Sequence, residues 1–457
     1  MTAGPIGHGN VAAEKIRFER LLAYSALQLP LAMAALPVVL NVSHFYGEVL
    51  KLSLAVMGPI FIITRIVDAI QDPVIGLMSD RFSRRGPRGR LMFVGLMIPL
   101  LIAGFYMLFD PPNAWFGDQT LLAIWLVVAL LLVHLGYSGV SISYHAHGAE
   151  LTDDYNERTK VTVGREVFGM LGFAVAVVLP TVLTNTKFFG EIEGYKILGV
   201  LFLPIAIAFS LPTLLWAGRS VHPPVDHGGR NAFTVFFAPL KNKLFRRLLM
   251  VFIVNGAALG VAVTVMLFYV EHVLAGEKIH AGIILLTYFF AGAASVPVWL
   301  LLSRRFSKAI AWFIGMVLTA VAMSCAVFMG PGDFYWFLAI SVITGFGIGA
   351  DYGLPPSILA DVINAEEGGD SKGKTGTYFG LWALSTKLAT AIGAAGSLPV
   401  AAMLGFNPAK GQYGTTALIV VYIAVPVVIK VIAGLMIWWI RIEASRGSVR
   451  DELMATR

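Results

Sequence analysis

Twelve times along its 457 residues the chain runs apolar for about twenty residues, the length a helix needs to cross roughly 30 Å of hydrocarbon at 1.5 Å per residue. These stretches begin near Leu21, Leu52, Leu91, Leu121, Val161, Ile197, Leu248, Ala281, Ala309, Tyr335, Gly376 and Thr415. A backbone in lipid must satisfy its own polar groups, so such a sequence has few options beyond a bundle of membrane-spanning helices. Composition agrees, with 57% hydrophobic and 13% charged residues against roughly 45–50% and 25% in soluble domains. The N-terminal MTAGPIGHGNVAAEKIRFER lacks a short apolar core followed by a small-residue cleavage site, so no removable signal peptide is expected. The only cysteine, Cys325, excludes an intrachain disulfide and a cysteine metal cluster and reads as a small core residue.

The net charge of +7 would suit a nucleic-acid binder, but the basic residues gather at alternate helix ends. RFSRRGPRGR carries Arg81, Arg84, Arg85, Arg88 and Arg90, and Lys15, Arg17, Arg20, Arg158, Lys160, Arg246, Arg247, Arg304, Arg305, Lys308, Arg441, Arg446 and Arg450 fall on the same side. The loops between them, such as DPPNAWFGDQT and MGPGDF, are almost free of Lys and Arg. The positive-inside rule then expects both termini to be cytoplasmic in an integral protein of the bacterial inner membrane, with the bilayer rather than nucleic acid as its surroundings.

A polar interruption rich in Pro, Gly and basic residues runs from Gly218 to Phe245, near the middle of the chain. The expected organisation is a six-helix half over residues 1–217, a cytoplasmic linker over 218–245, a second six-helix half over 246–441 and a cytoplasmic tail over 442–457. DPVIGLMSDRFSRR from Asp72 aligns without gaps to VPVWLLLSRRFSKA from Val296, and AELTDDYNE matches ADVINAEEG with Glu150 and Asp361 in equivalent places. Two such halves imply an all-α membrane protein of twelve transmembrane helices with the major facilitator architecture, in which sites lie near the midplane between the halves.

An ionised group near the bilayer centre costs a few kcal/mol at least, so an intramembrane acid is a functional candidate by default. Asp68 and Asp72 are four residues apart on one helix face, with Arg65 on the same stripe. Twelve residues separate Asp68 from Asp80 at the helix end, which places it about 18 Å deep. Two carboxylates in low dielectric share a proton or hold a cation, and either outcome makes a coupling site. The alternative is that they only pair with bases to hold helices together. Lys387, twelve residues into the eleventh stretch, reaches the same depth and is the expected partner; Lys430 in the twelfth is also deep and reads as snorkelling or locally paired. After the fourth stretch come Tyr144, His145, His147 and Glu150, with Arg165 opening the next. Either histidine suits proton relay, a polar substrate or plain satisfied packing, and their i, i+2 spacing speaks against a shared metal. Gly76, Asp80 and Arg81 match the Gly-x-x-x-Asp-Arg loop common in major facilitators, which implies a gating role for them together with Glu150 and Asp361.

RIVDAIQDPVIGLMSDR resembles the second-helix signature of the glycoside-pentoside-hexuronide:cation symporters, the melibiose permease group; LTDDYNERTKV resembles their loop after helix four, and SILADVINAEEG with KTGTYFGLWALSTKLATAIG their helix ten to eleven region. The resemblance covers nearly the whole chain. It implies that Asp68 and Asp72 bind the coupling cation and that Lys387, Arg65 and Arg165 match family basic residues. The family's helix-one and helix-four sugar-gripping acids fall at Ala32 and Ser141 here, and its stacking tryptophan at His145, so a galactoside is not expected. Ser141 retains an oxygen for a cation, while loss of the acid favours the proton.

The expected function is cation-coupled transport, by H+ or Na+ and without a further cofactor, of a small polar solute that is anionic or sugar-like, by a monomer using alternating access. Arg65, Tyr144, His145, Arg165, Lys387 and Trp382 are the expected substrate or charge-partner residues, in an interior read as electropositive. The alternative cargo is an amphipathic, lysolipid-like molecule. No nucleotide-binding glycine loop or Ser-His-Asp set points to an enzyme.

Overall fold

The computed structural model describes residues 16–152, 154–184, 190–218, 237–364, 374–405 and 414–437. The greater part of the expected linker, 219–236, and all of the 442–457 tail lie outside them. Twelve helical segments follow in order: α1 (Phe18–Gly47), α2 (Leu54–Ser83), α3 (Gly89–Phe109), α4 (Gln119–Ala149), α5 (Tyr155–Thr184), α6 (Glu191–Trp216), α7 (Lys243–His272), α8 (Lys278–Arg305), α9 (Lys308–Cys325), α10 (Phe334–Asn364), α11 (Thr375–Met403) and α12 (Thr415–Ile437). Ten are long and apolar enough to span a bilayer, and the protein is integral to a membrane; the two that fall short are α2 and α11. They fall short because they carry polar residues. On α2 the buried face reads Thr64, Asp68, Asp72, Ser79 and Asp80, while Ile62, Ile63, Ile66, Ile70 and Val74 are exposed. That is the reverse of a soluble amphipathic helix: apolar groups face outward to lipid and polar groups inward.

Two helices depart from regular geometry where they meet the interior. α1 breaks into a turn at Ala26 and Leu27 before helix resumes at Gln28, and α12 has a π-helical turn over Val420–Ala424. Gln28 and Tyr422 both line the central cavity. Irregular backbone at membrane depth is tolerated in such places, where protein or water can satisfy it.

The first half packs on the second through α2 and α4 against α11, and α5 against α8 and α10. At the arginine-rich end, Asp80 of α2 caps α11: Oδ1 accepts from the Gly376 amide at 2.7 Å, and Oδ2 from the Thr377 amide at 2.9 Å and its hydroxyl at 2.5 Å. A carboxylate here satisfies orphan N–H groups and meets the positive end of the helix dipole. Arg90 opens α3 and joins Asp80 to Glu150, with Nη2 at 2.8 Å from Asp80 Oδ1 and 2.7 Å from Glu150 Oε1. In the second half Lys308 opens α9 and holds Asp361 Oδ2 at 2.5 Å, and Arg158 of α5 reaches Asp361 Oδ1 at 3.2 Å across the interface. Glu150 and Asp361, matched by the sequence repeat, thus occupy equivalent positions, each bound to the basic residue that begins the preceding helix. Arg81 lies exposed at the end of α2, and the cation that joins Asp80 to Glu150 is Arg90. Several arginines crowd one loop, and only packing decides which of them turns inward.

The α2–α11 contact is so close that a Cβ at Gly76 would lie 2.8 Å from the Gly376 carbonyl oxygen. Gly76→Val is therefore expected to separate the two helices and loosen the cap, at about 1–3 kcal/mol of overpacking strain. The check is maleimide labelling of a cysteine introduced at Ser357, which is fully buried beside Thr159 of the other half, in a Cys325→Ala background. Labelling should rise several-fold with Gly76→Val; unchanged protection would show that the contact does not hold this end shut.

Candidate functional site

At mid-depth the α2 acids meet a base from the other half. Lys387 Nζ of α11 lies 2.7 Å from Asp68 Oδ1 and 2.7 Å from Asp72 Oδ2. It also donates to Ser138 Oγ at 3.2 Å and to the Asp68 carbonyl oxygen at 3.4 Å. Asp68 Oδ1 accepts further from Gln71 Nε2 at 3.1 Å and Ser138 Oγ at 3.4 Å, and His134 Nδ1 stands 3.7 Å from Oδ2. Asp72 is fully buried, with the Lys387 ammonium against Oδ2 and the Ser138 hydroxyl beside it. The two acids differ in what holds them: Asp68 has Gln71, Ser138 and His134 around it besides Lys387, and Asp72 has Lys387 and Ser138.

Asp68 and Lys387 open onto a central cavity of about 420 Å³ between the halves. Arg65, Ser141, His145, Arg165 and Trp382 also line it. Arg165 donates to Glu166 Oε1 through Nε at 2.9 Å and Nη2 at 2.5 Å. His145 Nε2 is 3.3 Å from Gln28 Oε1, and Trp382 is stacked on Phe252 with centroids 3.9 Å apart. Arg65 is exposed to the cavity and forms no ion pair among the described residues.

Cys325, expected in the core, is exposed, and three expectations about the site change. Tyr144 does not reach the cavity: its hydroxyl donates to the Tyr24 carbonyl at 2.7 Å, and Tyr24 returns the bond to the Tyr144 carbonyl at 3.0 Å. The pair fastens α1 to α4 and is packing, not recognition. The α4 oxygen in contact with Asp68 and Lys387 is Ser138 Oγ, with Ser141 three residues further along on the cavity wall. The interior is also not positive overall. Arg65, Arg165, Lys387 and Lys430 are matched by Asp68, Asp72, Glu166 and Asp351, so at full ionisation the charges of the site balance. His147 is fully buried and does not line the cavity.

Asp351 of α10 is the main residue that sequence reasoning missed. Its Oδ2 is 2.8 Å from Lys430 Nζ, and its Oδ1 accepts from Asn255 Nδ2 at 3.0 Å and Trp312 Nε1 at 2.8 Å. The signal that would have found it is the one that found Asp68, a lone acid in an apolar stretch (GIGADYGLPP). Among the described residues no group of three or more His, Cys, Asp or Glu side chains could hold a metal ion.

A sequence profile described as MFS/sugar transport protein matches residues 22–444. An uncharacterised symporter of Synechocystis is 23% identical over 84% of this chain and 85% of its own. A putative 2,3-dihydroxypropane-1-sulfonate exporter of Salmonella typhimurium is 26% identical over 93% of both chains. Among solved structures, the Escherichia coli fucose:proton symporter superposes with a TM-score of 0.66 at 13% identity, covering 93% of this chain and 98% of that one, a likeness of fold.

Proposed function

The chain belongs to the MFS/sugar transport protein family, within the glycoside-pentoside-hexuronide:cation symporter group of the major facilitators, and is a secondary transporter; from that premise we propose that it moves a small polar solute by alternating access, coupled to a cation at Asp68 and Asp72. The observation that carries this reading is Lys387, a second-half ammonium within 2.7 Å of both first-half acids. A proton on either acid, or a cation between them, weakens their hold on Lys387, so occupancy of the ion site and the relation of the halves become one linked equilibrium.

The proton is the first reading. The oxygens of Asp68, Asp72 and Ser138 suit sodium only once Lys387 withdraws from among them, whereas a proton needs a single carboxylate oxygen. With the site's charges balanced, one bound cation leaves one excess positive charge, which a monoanionic solute neutralises, and Arg65 is the cavity cation without a carboxylate. The relative named as a putative sulfonate exporter supports a small hydroxylated anion. Both poles of the site come from one chain, so a monomer suffices. The arginine-rich end is cytoplasmic by the positive-inside rule, in a bacterial inner membrane, and the Asp80 and Asp361 ties close that side.

A second reading, an amphipathic solute, is favoured by the cavity wall of Val263, Met266, Ile284, Met323, Phe337 and Ile340. The test is uptake into proteoliposomes under imposed proton or sodium gradients, with uronides, neutral glycosides and lysolipids as probes. Proton-driven accumulation of an anionic, hydroxylated probe is expected. Competition by lysolipids alone would replace the polar-solute reading with the amphipathic one, and no accumulation under either gradient would end both.

A further inference from the structure

The second half contributes its own polar cluster to the cavity, and coupling makes no use of it. Asp351 of α10, Lys430 of α12 and Asn255 of α7 all line the cavity wall. Lys430 Nζ bonds Asp351 Oδ2 at 2.8 Å and Asn255 Oδ1 at 3.0 Å, so three helices meet in one closed set of contacts. Trp312 of α9, buried, holds Asp351 Oδ1 at 2.8 Å. Asp351 and Lys430 side chains retain 15% and 8% exposure, which is exposure toward the cavity that they line.

A staple between helices does not need this chemistry. A buried ion pair replaced by apolar side chains of similar volume is often neutral or stabilising, and charges kept inside a membrane protein mark pathways and sites. Trp312 and the Asn255 amide occupy Asp351 Oδ1, which orients the carboxylate. The capacity left over is specific: Oδ2 keeps a lone pair beyond its bond to Lys430, Lys430 has a third N–H and Asn255 a second. An acceptor flanked by two donors matches neighbouring hydroxyl groups, each of which both donates and accepts. The other carboxylates on the cavity are committed differently, Asp68 to Lys387 and Glu166 to a two-pronged contact with Arg165.

We propose that Asp351, Lys430 and Asn255 form a subsite that binds a vicinal diol of the transported solute, oriented by Trp312. The proposal rests on the transporter reading and deepens it: Asp68 and Asp72 in the first half take the cation, and the second half recognises hydroxyl groups. A solute held by both contacts spans the interface that rearranges in alternating access.

The test is calorimetric binding to the full-length purified protein, using two pairs of probes of equal charge that differ in hydroxylation: glycerate against propionate, and glucuronate against cyclohexanecarboxylate. The wild type should prefer a hydroxylated member. Asp351→Asn combined with Lys430→Met removes both charges together, so neither is left buried alone, and should erase that preference, weakening the hydroxylated probe about 10- to 100-fold with little change for its partner. Asn255→Ala should lose part of it. Thermal unfolding of each variant, with and without the coupling cation, is measured alongside. Failure of the wild type to prefer either hydroxylated probe, or a preference that survives in a folded double variant, would overturn the diol subsite. The cation-dependent shift in unfolding reports on Asp68 and Asp72 separately: its absence from the wild type would defeat the coupling reading and leave the diol result standing.

Discussion

Asp72→Asn is expected to abolish uphill transport while leaving the protein folded and able to exchange solute. The substitution keeps the shape of a fully buried side chain and removes the charge that faces Lys387 at 2.7 Å. A tenfold proton gradient is worth about 1.4 kcal/mol and can sustain about tenfold accumulation of a solute moved one-for-one. In the variant that ratio should fall to one, with counterflow of labelled solute persisting. Asp68→Asn should uncouple as well, and should also disturb the pocket, because Gln71, Ser138 and Lys387 all donate to that carboxylate or its backbone carbonyl. Gradient-driven accumulation that survives both substitutions would remove the acid pair from coupling and leave it as a structural tie.

Arg90→Leu is expected to give the largest loss of stability of any single change at the arginine-rich end. Arg90 is 1% exposed, and all three guanidinium nitrogens are in use: Nε to Glu150 Oε2 at 3.0 Å, Nη1 to Ser79 Oγ at 2.9 Å, and Nη2 to both Asp80 and Glu150. Its removal leaves two buried carboxylates without their counter-charge, Asp80 keeping its donors on α11, at a cost of about 3–5 kcal/mol. Asp80 would also hold the α11 N-terminus less firmly. Arg90→Lys keeps the charge but loses the fork, so it should fall between wild type and leucine. Burial pushes the Glu150 carboxyl up, but the charge and hydrogen bonds of Arg90 bring it down further, so it rests below its ordinary value. A depressed carboxylate contributes stability that is present above its unfolded pKa and is lost as pH falls through the folded value. The Tm difference between wild type and Arg90→Leu should therefore be widest near neutrality and narrow below about pH 4. Equal Tm values at neutral pH would mean that the carboxylates find other partners.

The membrane class and the all-helical major facilitator fold were legible because lipid imposes length and backbone satisfaction on every crossing, and both leave their mark on the linear sequence. The common depth of Asp68 and Lys387 was legible for the same reason: a helix converts residue count into distance, and Asp68 lies twelve residues from Asp80 as Lys387 lies twelve from Thr375. Counting gives height and says little about azimuth. Helices apolar on nearly every side, such as α4, do not show which face turns inward, so Tyr144 looked like a cavity residue although it locks against Tyr24, and Ser141 stood for the contact that Ser138 makes. Nor could the sequence choose Arg90 from the arginines of one loop, since that choice depends on where Glu150 and Asp80 converge. Asp351 was within reach of the buried-charge rule, but its partners Lys430, Asn255 and Trp312 lie on three other helices. The sequence by itself determined that charges stand at mid-membrane; tertiary structure alone decided which charges meet, because pairing depends on the rotation and approach of helices far apart in the chain.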